Sequence, residues 1–288
     1  YAYTVTATDN VDPAPVVTCT PTSGSTFPLG STYVECTATV TVTNVAPAVN
    51  AGPDAAINEG DTFAQSGISL PDPVGHWALD DGAGSSTAAD SSGNGNDGTL
   101  VNINTTTAWV AGAPDITFAN PGALSFDGAN DYTDIPGGYN AGSGDLTVSL
   151  WYKANISGTT QVLLVKGLTG GHSGYELLLH AGSIRWDLRG TGGDAFNTFA
   201  PEPTAGDWHH VVGVLDRTTN TATLYVDGMV VSSQPASVGD IDTPLWVGLG
   251  ALTRQPGGTP AQFFNGTLDD VRIYDEALSA DQVAVLTG

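Results

Sequence analysis

Trp208-His-His-Val-Val-Gly-Val-Leu215, then Thr223-Leu-Tyr-Val226, Asp227-Gly228 and Met229-Val-Val231, is the stretch whose reading decides the fold. Alternating, β-branched runs meet at an Asp-Gly. That dipeptide tolerates the positive φ angles of a two-residue hairpin turn, so the stretch predicts antiparallel strands. The same pattern extends outward in both directions. Leu146-Thr-Val-Ser-Leu-Trp-Tyr-Lys153 and Gln161-Val-Leu-Leu-Val-Lys166 alternate, and Gly174–His180 and Ser183–Leu188 flank the turn Ala181-Gly182. Leu245-Trp-Val-Gly-Leu249 and Gly266-Thr-Leu-Asp-Asp-Val-Arg-Ile-Tyr274 complete the series. Many short strands at this spacing predict an all-β chain folded as a two-sheet sandwich. One short helix is expected at the end, where Ser279-Ala-Asp-Gln282 is a capping box and Val283 and Leu286 would cover a sheet.

Composition agrees with this. The chain has 288 residues, 40% of them apolar, with 37 Gly and 17 Pro, which suits turns between strands and leaves enough apolar surface for a core. It carries 30 acidic and 7 basic residues for a net charge of −23, and no Lys or Arg precedes Lys153. Such a surface repels phosphate backbones and anionic headgroups, so nucleic acid is excluded as a partner. Direct membrane insertion is excluded as well, because no apolar run approaches the ~18 residues a bilayer span needs. The opening Tyr1-Ala-Tyr-Thr-Val-Thr reads as a strand, so a mature or trimmed chain is expected. Cys19 and Cys36 each sit in an alternating run. They are either two buried thiols or a bridge worth roughly 3 kcal/mol to a small domain. With three Asn-x-Ser/Thr sequons at Asn104, Asn155 and Asn265, the bridge and an extracellular or cell-surface setting are the expectation.

Several strings carry family resemblances. His76-Trp-Ala-Leu-Asp-Asp-Gly-Ala-Gly, Asp90-Ser-Ser-Gly-Asn-Gly-Asn-Asp-Gly, Ala123-Leu-Ser-Phe-Asp-Gly-Ala-Asn-Asp-Tyr, Leu224-Tyr-Val-Asp-Gly and Gly266–Tyr274 recur in order over residues 74–288. They resemble the laminin-G-like jelly rolls of the concanavalin A-like lectin/glucanase superfamily. Residues 1–46, with Pro15-Val-Val-Thr-Cys-Thr-Pro and Val34-Glu-Cys-Thr-Ala-Thr, resemble part of a hyalin-repeat module, an immunoglobulin-like sandwich here lacking its first strand. Residues 47–73 resemble the entry strand of a PKD-type module and read as an extended linker.

The loop Asp90–Gly98 packs oxygen ligands onto a glycine-rich turn, which suits a hard cation such as Ca²⁺; Asx-turns are the alternative. The jelly-roll resemblance implies a structural Ca²⁺ between this loop and the last strand, at Asp90, Asn94 and Asn96 with Asp269 or Asp270. Asp269 shares strand parity with Val271 and Ile273, so a core-facing carboxylate in need of a partner is expected there. Trp186, Tyr175 and Phe196 are the candidate glycan platform, although Trp186 alternates with Ile184 and Leu188. No catalytic array is legible. None of Glu35, Glu59, Glu176, Glu202 and Glu276 lies in the paired-carboxylate strand motif of glucanases, and no Gly-x-Ser-x-Gly elbow exists. His209 and His210 point to opposite faces and cannot chelate one metal. The sequence thus predicts a non-catalytic extracellular adhesion module, stabilised by Ca²⁺, whose partner is a glycan or a surface protein. The alternative is a filament or sheath subunit, with the incomplete hyalin-like segment completed by strand exchange from other copies.

Overall fold

The computed structural model describes residues 16–26, 35–39, 68–113, 120–137, 139–168, 172–253 and 259–288. The chain divides into two compact units, Tyr1–Asn50 and Ala51–Gly288. In the first, β1 (Val16–Thr20) pairs antiparallel with β2 (Glu35–Thr39), and Cys19 lies opposite Cys36 in the register. The two are joined in a disulfide, as the sequence suggested. The expected missing first strand of this module, most of the PKD-like linker and the proposed strand-exchange arm lie outside the described residues.

The second unit begins with β3 (Gly75–Trp77), β4 (Thr87–Ala88), β5 (Gly98–Val101), β6 (Trp109–Val110), β7 (Ala123–Asp127) and β8 (Tyr132–Ile135). The long central strands follow: β9 (Leu146–Ala154), β10 (Gln161–Gly167), β11 (Gly174–His180), β12 (Ser183–Arg189) and β13 (Ala195–Pro201). Then come β14 (His209–Asp216), β15 (Thr221–Val226), β16 (Met229–Pro235), β17 (Val247–Leu249), β18 (Asn265–Tyr274) and the helix α1 (Ala280–Thr287). One sheet is ordered β13-β12-β11-β10-β17-β8-β5-β4. The other is ordered β16-β15-β14-β9-β18-β7-β6, with β3 paired to β18. The unit is an all-β sandwich of antiparallel sheets in the jelly-roll manner, as read from the alternation.

Alternation also dictates the core. Leu146, Val148, Leu150 and Tyr152 of β9 face Leu177 and Leu179 of β11 and Ile184, Trp186 and Leu188 of β12 in one buried cluster. Trp186 fits because residue 213 is Gly: a Cβ there would stand 2.5 Å from the indole. The turn between β15 and β16 places Asp227 at φ +50° and Gly228 at φ +74°, the conformation an Asp-Gly hairpin requires. On the outer face of the second sheet, α1 covers Val212, Val214, Tyr225 and Tyr274 with Val283 and Leu286. Its capping box forms as the sequence indicated, Ser279 accepting from the Gln282 N–H while Gln282 accepts from that of Ser279.

Candidate functional site

The glycine-rich loop after β4 is organised around Asp90. Its Oδ1 accepts from the backbone N–H groups of His76 (3.0 Å) and Ser92 (2.9 Å), and its Oδ2 from that of Asn96 (2.9 Å). Against the cost of burial, these bonds hold its carboxyl below the usual range. Asn94 is exposed and donates to Val74 O and Ser92 Oγ. Asn96 offers its carbonyl to the Trp77 indole. Asp90 is thus the hub of an Asx-turn, with its oxygens already taken by N–H donors. Asp270 is likewise engaged, by His76 Nε2 (2.8 Å) and Arg272 Nε (2.9 Å). No group of three or more acidic, His or Cys side chains fit to hold a metal occurs among the described residues. As a joint donor set, Asp90, Asn94, Asn96 and Asp270 do not fit a cation.

Asp269 is different, and its parity is not the one the alternation implies. The register of β18 slips between Asp269 and Arg272, with Asp270 at φ +43°. This bulge inserts a residue, so Leu268, rather than Asp269, joins Val271 and Ile273 in the core. Asp269 pairs with Trp151 and is fully buried on the other side. Its Oδ2 accepts from Ala113 N (2.6 Å) and Asn120 Nδ2 (2.7 Å), and its Oδ1 has no hydrogen-bond partner. Burial pushes this carboxyl up to about 7. The carbonyl oxygens of Asn120 and Gly122 and Asp269 Oδ2 all lie within 3.1 Å of the point a Cβ of residue 112 would occupy; the residue there is Gly112. These oxygens close around Gly112 itself, while the Oδ1 of the buried Asp269 carboxylate is left without a partner. Of the sequence-derived ligands, Asp269 alone has a buried carboxylate oxygen without a hydrogen-bond partner.

The same segment borders a cavity of about 280 Å³ lined by Asp80, Gly82, Ala83, Trp109, Val110, Pro121 and Gly122. Trp109 is half-buried, backed by the core and fixed by its Nε1 donating to Ser85 O (3.2 Å). Asp80 Oδ1 accepts from Gly122 N (2.7 Å), and partial burial raises its carboxyl, with Asp270 and Asp81 adding to the rise. A fixed indole, a carboxylate and side-chain-free backbone at Gly82 and Gly122 thus meet at one rim. Sequence reasoning missed this site. Its parts are about 40 residues apart along the chain, and only the half-buried state of Trp109 in a two-residue strand distinguishes it from a core aromatic.

The expected aromatic platform is corrected by the sheet. Tyr175 and Trp186 face inward and are buried at 1% and 0% exposure, Tyr175 donating to Tyr139 O. Phe196 packs partly against the same core. On the other face, Leu178 packs with Val162, Val165 and Leu252, and the remaining side chains of β11 and β12 there are polar. Glu176 lies opposite Asp187, which Arg185 grips in a forked pair at 3.2 and 2.9 Å. Burial pushes Glu176 up to about 8, helped by Asp187. His209 and His210 do point to opposite faces. His209 bonds Asp227 (2.8 Å), while His210 is buried between Ser149 and Thr287 and stacks on Trp151. Burial lowers His210 to about 4, so it is neutral and inert. The sequons Asn104 and Asn155 are exposed, whereas Asn265 is half-buried and accepts from the Asn155 amide.

Comparison with known proteins gives the following. The binding domain of Paraclostridial Mosquitocidal Protein 1 superposes with a TM-score of 0.56 at 17% identity, over 72% of this chain and 50% of that one. Domain 4 of AbnA, a GH43 extracellular arabinanase from Geobacillus stearothermophilus solved with arabinotriose, gives 0.55 at 19% identity, over 75% of this chain and 98% of that one. In sequence, the chain is similar to the "Non-toxic nonhemagglutinin" of Paraclostridium bifermentans, 25% identical over 112 residues, which are 38% of this chain and 10% of that protein. The chain therefore spans a small part of that curated relative and half of the mosquitocidal binding domain. At these identities the likenesses establish the fold. The family profile goes further, matching residues 127–284, more than half of the chain. On that match, and on the two antiparallel sheets described above, the chain belongs to the laminin-G-type family of the concanavalin A-like lectin/glucanases superfamily.

Proposed function

We propose that this chain is a non-catalytic, extracellular carbohydrate-binding module, and that a neutral sugar ring seats in the Asp80–Trp109–Gly122 cavity. The observation that carries the reading is the half-buried Trp109 indole, held by its bond to Ser85 O and lining, with Asp80, a cavity of about 280 Å³. An aromatic face binds the apolar face of a pyranose or furanose, and a carboxylate accepts its hydroxyls. The net charge of −23 selects against uronic and sialic acids. The arabinotriose bound by the AbnA domain and the binding role named for the mosquitocidal domain support the class of partner. The non-catalytic reading rests on the sequence, where no Glu lies in the paired-carboxylate strand motif of glucanases, with Glu176 itself buried. The disulfide and the exposed sequons Asn104 and Asn155 support the setting; no helix among the described residues is long and apolar enough to cross a membrane.

Structural Ca²⁺ belongs to the same reading, held by Asp269 with the carbonyls of Asn120 and Gly122. It would neutralise a buried carboxylate and tie the segment that forms the cavity floor to β18. Two measurements test these assignments. In titration calorimetry against neutral arabino- and gluco-oligosaccharides, Trp109→Ala should lose binding at least tenfold, about 1.4 kcal/mol, with unchanged circular dichroism and a lower melting midpoint, since the indole also packs on the core. Wild-type protein that binds none of them, or a variant that binds equally well, refutes the sugar site. Calcium added to chelator-stripped protein should raise the melting midpoint, and Asp269→Asn should abolish the rise. A midpoint indifferent to calcium in the wild type refutes the cation.

A further inference from the structure

The fold treats the three Asn-x-Ser/Thr sequons differently. Asn265 opens β18 with its N–H donating to Gln161 Oε1 (2.8 Å) and its Oδ1 accepting from the Asn155 amide (2.9 Å). A Cβ on Gly128 would stand 2.7 Å from the Asn265 Cβ, so the Asp127-Gly128 turn lies against that side chain, and Thr267 of the same sequon is buried. Asn155 commits its amide to Asn265. Asn104 is the exception. It is exposed; its Oδ1 accepts from the Thr106 N–H (3.1 Å), and its carbonyl oxygen accepts from those of Thr107 (3.1 Å) and Ala108 (2.9 Å). This Asx-turn holds Asn104-Thr105-Thr106 in one conformation and leaves both hydrogens of Asn104 Nδ2 uncommitted.

Asn104 also lines a cavity of about 230 Å³, together with Asn102, Thr107, Ser125, Asp127 and Asp131. Its walls share no residue with the Trp109 cavity. Asp131 is 7% exposed and its Oδ2 accepts from the Asp127 N–H (3.1 Å), while Asp127 Oδ1 accepts from those of Ala129 (2.7 Å) and Asn130 (3.2 Å). Both carboxylates are therefore held in position. Carboxylates, carboxamides and hydroxyls together match the hydroxyl and acetamido groups of a neutral amino sugar, and the carboxylates reject an anionic one. We propose that Asn104 is a glycosylation site, and that the first sugar of its N-linked chain, a neutral N-acetylhexosamine, seats in this cavity. In the transfer Asn104 Nδ2 bonds the sugar C1 and loses a proton, and the C1–O bond to a lipid-linked diphosphate donor breaks, the lipid diphosphate leaving with the electron pair. The tether sets the occupant. A ring bonded to a wall of the cavity is present at an effective concentration on the order of millimolar, so contacts too weak to hold a free sugar suffice. The proposal rests on the extracellular reading, because the donor and its transferase belong to the secretory route.

Secretion of the full chain from a eukaryotic host, with peptide mapping by mass spectrometry, tests the site. Asn104 should carry a glycan in the secreted, folded protein. Enzymatic trimming to the single protein-linked N-acetylglucosamine should leave the melting midpoint in place. Thr106→Ala removes the sequon but keeps the Asn104 side chain and the backbone N–H it binds; it should melt about 2–4 °C below the trimmed wild type. Made in a host without the transferase, the two sequences should melt together. Thr107→Leu fills the cavity from an exposed position; it should keep the glycan but melt at one midpoint with or without Thr106→Ala. An unmodified Asn104 in the secreted chain overturns the proposal, as does a trimmed glycoprotein that melts with Thr106→Ala. A Thr107→Leu protein that keeps the full difference overturns the seating in the cavity. Because the host supplies the secretory setting, each of these results counts against the site and leaves the extracellular reading, and sugar binding at Trp109, to their own tests.

Discussion

Glu176 shows what a single side chain contributes when its surroundings refuse its charge. It sits 7% exposed with Oε1 unpartnered, opposite an Asp187 that already has Arg185. Its folded carboxyl titrates at about 8 against an ordinary value of 4.5. The folded state therefore holds a proton that the unfolded chain releases between those two values. The stabilising difference is complete below about 4.5 and is lost as pH rises through 8. Glu176→Gln keeps the shape and a donor but cannot ionise. It is expected to stabilise the protein by on the order of 2 kcal/mol at pH 8 and to leave stability at pH 4 nearly unchanged. Denaturant melts of both proteins across that range decide it: parallel pH profiles would mean that Glu176 is solvated in the folded state. His210 acts with the opposite sign, since a base lowered from 6.5 to about 4 contributes fully above 6.5 and is lost as pH falls through 4. Lys166 is similarly confined, donating to the Gly137 and Leu245 carbonyls, with burial lowering it to about 8.

At the level of elements, α1 is short and depends on its ends. An eight-residue helix is marginal alone, so its capping box and its contact with Val212, Val214 and Tyr225 hold it together. Ser279→Ala removes one half of the box and should cost about 1 kcal/mol, read as a lower melting midpoint, with faster hydrogen exchange in α1 than in β14. Equal exchange in wild type and variant would show that packing alone fixes the helix. The box was legible because a cap is written within four residues, and the strands were legible because a period of two is local. The bulge at Asp269-Asp270 was not. Its one mark is that Leu268 stands three residues before Val271, out of phase with Val271 and Ile273, and the slip decides which face a carboxylate takes. The aromatics show a different limit. Alternation already put Trp186 with Ile184 and Leu188, and the sheet buries it on their face, while Arg185, Asp187 and Arg189 lie on the opposite face of β12. Trp109 was missed because its surroundings, Asp80 and Gly122, come from loops that only the closed sandwich brings together.

Across the whole molecule, the charge imbalance gains a physical cause in where the few cations lie. Lys166 is buried against carbonyls, Arg217 donates to the backbone oxygens of Gly144, Val238 and Gly239, Arg272 faces Asp270, Arg185 grips Asp187, and Lys153 stands over the Trp208 ring. These five basic side chains thus serve as ties within the fold rather than as free surface cations. The sequence made the sign and size of the charge plain, but the engagement of the cations depends on register and loop placement. Self-repulsion of the net negative charge destabilises the compact state and is screened over a Debye length that falls from about 30 Å at 0.01 M to about 8 Å at 0.15 M salt. Among the described residues two Arg–carboxylate pairs could be weakened by salt, Arg272–Asp270 at 13% and 3% side-chain exposure and Arg185–Asp187 at 23% and 21%. Raising NaCl across this range at pH 7 should therefore raise the melting midpoint monotonically. Calcium chloride at matched ionic strength should add a further, saturable rise that Asp269→Asn removes while leaving the NaCl response in place. A midpoint that falls with NaCl would mean that attractive surface pairs outweigh the net repulsion, and the acidic shell would then have to be redrawn as a network of compensated charges.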